Sequence, residues 1–92
     1  MVSKDTYRAV ASAIRTNGLG NVLSYLESNV ASEKKGDEAK AILAIVNEPI
    51  KFSGGSFALD VFSPMQQTRL ILEKLRTYEI LAPEGVTKLF KP

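Results

Sequence analysis

Apolar residues recur along the first third of the chain with a helical spacing that breaks once. Tyr7, Val10, Ala11 and Ile14 stand three and four apart, and Leu19, Val22, Leu23, Leu26 and Val30 repeat the pattern. Each set lines one side of an α-helix. Between them lies Asn17-Gly18-Leu19-Gly20, so one helix stops and the next starts almost at once. The first helix is predicted over about 3–16. Ser3 is its cap, and Asp5 sits in the first turn, where a carboxylate favours the positive helix end. Asn17 or Gly18 can take the left-handed conformation that closes a helix. The second helix is predicted over about 19–31.

The stretch "SEKKGDEAK" is a charged loop around Gly36. A third helix is predicted from near Asp37, carrying Ala41, Ile42, Leu43, Ile45 and Val46. Asn47-Glu48-Pro49 ends it, because the residue before a proline avoids the helical region. The period then changes to two. Ile50 and Phe52 alternate, Ser53-Gly54-Gly55-Ser56 supplies turn residues, and Phe57, Leu59 and Val61 alternate again. This predicts a short β-hairpin or flap at about 50–62, which must pack on something to persist. Ser63-Pro64-Met65-Gln66 is a helix start: serine caps, proline fits the first helical position, and Gln66 completes a capping box. That fourth helix is predicted to reach about Tyr78, with Met65, Leu72, Leu75 and Tyr78 on or near its inner side. Ala82-Pro83-Glu84-Gly85 breaks it, and "VTKLFKP" suits a last helical turn. The expected fold is mainly all-α: a compact bundle of about four helices with one short hairpin, in a single domain over 1–92.

Composition narrows the function classes. An apolar fraction of 45% and a charged fraction of 24% are those of a globular protein and not of a disordered one. No run approaches the ~18 apolar residues that a helical membrane span needs. Lys4 and Asp5 stand where a signal peptide would carry its apolar core, so a cytoplasmic location is expected. Cysteine and histidine are both absent. That removes disulfides, thiolate metal sites, the commonest metal ligand and the commonest general base. No metal or other cofactor is expected. The carboxylates are scattered, a serine nucleophile would need a lysine base, and neither glycine pair has the context of a phosphate loop. No catalytic set emerges, so the chain is expected not to be an enzyme.

Twelve basic and ten acidic residues leave a net charge of +2. Any role with nucleic acid therefore depends on clustering. Lys4, Arg8 and Arg15 fall within about 40° of each other on a helical wheel, with only Asp5 near to balance them. Arg69 and Arg76 share a side of the fourth helix, with Glu73 between them, and Lys34, Lys35 and Lys40 lie at the charged loop. These eight are the candidate nucleic-acid-binding residues. On pattern alone, solvated helix faces explain most of them, and the first-helix stripe is the best exception. A helix-turn-helix reader fits poorly. Its second helix would offer Asn21, Ser24, Glu27, Ser28 and Asn29, with no basic residue to meet a phosphate.

The stretch "YRAVASAIRTNGLGNVLSYLES", centred on Asn17-Gly18-Leu19-Gly20, resembles the N-terminal half of the small subunits of class 1 CRISPR effector (Cascade-like) complexes, in their archaeal type I-A or type III-B variants. The resemblance covers about the first third of the chain, chiefly from Ile14 to Leu26. The flap at about 50–62 departs from the purely helical type III form. The resemblance implies a non-catalytic helical bundle acting in antiviral defence. Such a subunit self-associates by stacking as a filament beside other effector subunits. It meets guide RNA and target nucleic acid, as a displaced DNA strand or a guide–target duplex, through basic side chains. Contacts of that kind go to phosphates and shape, because the guide reads the sequence. The alternative from another class is a protein–protein adaptor or inhibitor, viral ones included, that binds a partner through an exposed apolar flap.

Overall fold

The computed structural model describes residues 2–83. Helix α1 spans Lys4–Asn17, α2 Leu19–Asn29 and α3 Gly36–Val46. Strands β1, Ile50–Phe52, and β2, Gly55–Phe57, follow, then a 3-10 turn at Leu59–Val61, then α4 over Pro64–Leu81. The fold is the mainly α-helical bundle with a short β flap that the periodicity predicts. The expected helical turn in "VTKLFKP" lies outside the described residues.

Local signals account for most helix ends. The Ser3 side chain accepts from the Thr6 N–H, and Ser63 with Gln66 forms a complete capping box with Pro64 just inside α4. Gly18 closes α1 and opens α2, and its N–H donates to the Ile14 carbonyl at 2.9 Å. Its φ of 91° and ψ of 150° are not the left-handed helical values that the sequence suggests. They belong to an extended, positive-φ region that glycine alone enters readily. That geometry turns the chain within one residue. The α2–α3 corner rests on a different glycine property. A Cβ on Gly36 would stand 2.6 Å from the Val30 carbonyl oxygen, so the corner closes only because no side chain is there.

Helix α1 packs on α4 and α2, α2 on α3, and α3 on α4. Helices α1 and α4 run antiparallel: the Lys4 N–H donates to the Pro83 carbonyl at 2.9 Å, while Arg15 lies beside the first half of α4. The core joins Tyr7, Ala11 and Ile14 to Val22, Leu26, Ala39, Ile42, Ile45, Val46, Ile71 and Leu75. Ile42, Ile71 and Leu75 are its most enclosed large side chains. Burial of each contributes roughly 1.5–3 kcal/mol.

Several boundaries and faces differ from the expectation. Helix α2 stops at Asn29, and α4 continues to Leu81. Met65, expected inside, is 77% exposed, whereas Ile71 is fully buried. The two stand about 120° apart on the wheel, and the Ile71–Leu75 side is the one that meets the other helices. The alternation Phe57, Leu59, Val61 does not continue β2. Phe62 N–H bonds to the Leu59 carbonyl and Val61 N–H to the Ala58 carbonyl, which curls the chain toward α4. The hairpin itself pairs Ile50 with Phe57, Lys51 with Ser56 and Phe52 with Gly55. Ile50 is buried, and Phe52 contacts Phe57 and Phe62 at ring-centre distances of 5.9 and 5.8 Å.

Candidate nucleic-acid interface

The eight candidate cations separate into groups once the helices pack. Lys4 is half-buried, and its Nζ donates to the Ile80 carbonyl at 3.4 Å. It therefore sits at the negative end of α4, where a cation is favoured. Arg8 is exposed, but its Nε donates to Glu79 Oε2 at 3.1 Å. The expectation that only Asp5 balances the α1 stripe is corrected here. Helix α4 brings a carboxylate that no pattern within α1 could reveal.

Arg15 has a different neighbourhood. It lines a groove of about 690 Å³ between the end of α1 and the first half of α4, together with Arg69 and Arg76. Pro64, Met65, Thr68, Leu72 and Glu73 complete the lining. Antiparallel packing thus joins two sets of arginines that are 54 residues apart in the chain. Three guanidinium groups and one carboxylate share this concavity. Arg15 also stands in the last turn of α1, and the groove opens beside the first turn of α4.

The apolar part of the groove is what sequence reasoning missed. Met65, Arg69, Leu72 and Arg76 recur at steps of four, three and four, which places them along one face of α4. That spacing is legible in the sequence, but Met65 and Leu72 read there as core. In the fold Leu72 is half-buried and Met65 stands largely in solvent, both between arginines. Guanidinium groups offer planar, multiply donating contacts to phosphate, and apolar or guanidinium planes can take the face of an unpaired base.

Lys34, Lys35 and Lys40 belong to the α2–α3 corner and do not line this groove. Lys35 Nζ donates to the Tyr25 hydroxyl at 3.4 Å. Hydrogen bonds from Asn29 and then Lys35 draw the Tyr25 phenol below its usual range. A second groove of about 780 Å³ lies between α1, α2 and α3. Asp5 and Glu38 line it together with Lys35, so it lacks the cationic excess of the arginine groove.

One polar cluster escaped the sequence altogether. Lys74 Nζ donates to the Ile45 carbonyl at 3.1 Å and to the Glu48 carbonyl. These are carbonyls at and beyond the end of α3, which a lysine from α4 satisfies across the bundle. Burial draws the Lys74 ammonium below its usual range, and the Glu48 charge opposes that shift. The Tyr78 hydroxyl donates to Glu48 Oε1 at 2.6 Å, and the Tyr7 and Tyr78 rings stack at 6.1 Å. This cluster ties α3 to α4.

Among the described residues, no group of three or more carboxylates gathers to hold a metal ion, and no helix is long and apolar enough to cross a membrane. The chain matches no family model, no curated protein and no solved structure.

Proposed function

We propose that this protein is a non-catalytic nucleic-acid-binding subunit whose contact face is the groove of Arg15, Arg69 and Arg76. One observation carries the reading: two antiparallel helices converge three arginines on an apolar floor, with a single carboxylate among them. The geometry suits phosphates along a single strand or at a duplex edge. Contacts of that kind go to the backbone, so affinity without sequence preference is expected.

The finer form of this role is a small subunit of a CRISPR ribonucleoprotein. It rests on the resemblance from Ile14 to Leu26. Copurification of short guide RNAs with the tagged protein from its own cells tests that form. Their absence would remove it and leave the nucleic-acid reading in place.

The direct test is titration of a labelled single-stranded oligonucleotide at several salt concentrations. The triple variant Arg15→Ala, Arg69→Ala, Arg76→Ala should stay folded by circular dichroism and bind more weakly to every sequence alike. Its slope of log affinity against log salt should flatten by up to about 2, at roughly 0.7 per phosphate contact on single strands. Lys34→Ala with Lys40→Ala should change the slope less. Equal affinity and slope in wild type and triple variant would move the assignment to the adaptor reading. That rival draws on a specific feature, the half-exposed Phe52 and Phe57 of the flap. Apolar docking there would barely respond to salt.

A further inference from the structure

Among the described residues, the groove of about 780 Å³ is lined from α1, α2, α3 and the α2–α3 corner, and by nothing from the hairpin or α4. Its floor is Ala9, Val10, Ala13, Val22, Leu26 and Ile42. Ala9 and Ala13 are short, so α1 leaves space beside α2 and α3 along this side. At one end the Thr6 hydroxyl bridges α1 to α3 by donating to Glu38 Oε2 at 2.8 Å. A concave apolar floor with a polar border suits an amphipathic segment.

We propose that residues 84–92 of the same chain dock in this groove, with Val86, Leu89 and Phe90 on its apolar floor. Three observations favour that occupant. The first is position. The Lys4 N–H donates to the Pro83 carbonyl at 2.9 Å, and Asp5 and Thr6, the next residues of α1, line the groove. The chain therefore leaves Pro83 beside one end of it. The second is length. Nine residues follow Pro83, which reach up to about 30 Å at roughly 3.3–3.6 Å each. The lining of α1 from Asp5 to Asn17 runs about 18 Å at 1.5 Å per residue. The third is chemistry. Val86, Leu89 and Phe90 stand at steps of three and one, the spacing of one helical side.

Charge agrees with this choice. Asp5 and Glu38 outnumber Lys35 in the groove, whereas Lys88 and Lys91 outnumber Glu84 in the segment. Long lysine stems let the ammonium groups turn back to the carboxylates while apolar neighbours face the floor. The arginine groove has the same sign as Lys88 and Lys91 and repels them. The carboxylates of the larger groove equally disfavour a phosphate there. The docking uses no residue of the arginine groove and does not rest on the nucleic-acid reading.

A nitroxide label on Thr87→Cys of the full chain tests it, because the sequence has no other thiol. In ¹⁵N NMR spectra the amides of Ala9, Ala13, Val22 and Leu26 should lose most of their intensity, and those of Lys51, Ser56 and Arg69 should keep theirs. Adding Leu89→Ser and Phe90→Ser should restore the intensity at Ala13 and Val22, with the remaining shifts showing an intact fold. When ¹⁵N protein without label is mixed with labelled ¹⁴N protein, its signals should stay sharp. The triple arginine variant should behave as wild type in all of this, so the result is separate from that of the oligonucleotide titration. Broadening confined to residues near Lys4 and Pro83 would overturn the proposal. So would broadening that survives Leu89→Ser with Phe90→Ser. Broadening in the mixed sample would assign the groove to the segment of a second copy and overturn it as well.

Discussion

Tyr78 holds the side of α4 to the end of α3 by one hydrogen bond to Glu48, and that bond is sensitive to pH. The bond, then burial and the neighbouring negative charge, raises the Tyr78 phenol above its usual range, and burial raises Tyr7. A raised value in the folded state means that this stabilisation is complete below about pH 10 and is lost as pH rises through the raised value. In an ultraviolet titration of the folded protein, Tyr25 should ionise first, below the usual value, and Tyr7 and Tyr78 last. Glu48→Gln should bring Tyr78 back toward the usual value and leave Tyr25 unchanged. An unshifted titration in that variant would mean that Glu48 does not hold the phenol. Arg8–Glu79, the one ion pair among the described residues, is of another kind. Both partners reach solvent, so it contributes no more than about 0.2–1 kcal/mol.

The corner between α1 and α2 shows how elements are joined by backbone freedom and not by contact. Nothing lies within 4 Å of a Cβ built on Gly18 or on Gly20. Space therefore does not distinguish the two, and backbone conformation does. Gly18→Ala should destabilise by about 1–3 kcal/mol, because alanine is strained at that φ and ψ. Gly20→Ala, inside α2, should leave stability unchanged or raise it by up to about 1 kcal/mol. Urea unfolding followed by circular dichroism reads both. Equal effects from the two would remove the special role of Gly18. Presence of a break was legible from Asn17-Gly18. Its type was not, because extended and left-handed positive-φ glycines look alike in a sequence.

At the scale of the molecule, stability rests on one core shared by all four helices. Ile71 sits at its centre with no exposed surface. Ile71→Ala should lower the unfolding free energy by about 2–5 kcal/mol. That is a large part of the roughly 5–14 kcal/mol that a chain of this length commands. Met65→Ala should change it by less than about 0.5 kcal/mol, since that side chain is mostly in water. Chemical denaturation with helical signal as the probe compares them. A large loss from Met65→Ala would restore the inner position that periodicity alone assigns to it.

Helix existence, the capping box at Ser63, a turn within Ser53-Gly54-Gly55-Ser56 and the apolar faces of α1 to α3 were determined by the sequence alone. Each depends on interactions within a few residues, which spacing and residue type specify. Helix packing decided the rest. It set Arg8 against Glu79, gathered Arg15 with Arg69 and Arg76, sent Lys74 to the carbonyls of α3, and turned Met65 outward while burying Ile71. Those outcomes depend on which helix lies beside which and in what direction. A helical wheel shows which residues share a side of one helix, but the neighbour that covers that side comes from elsewhere in the chain.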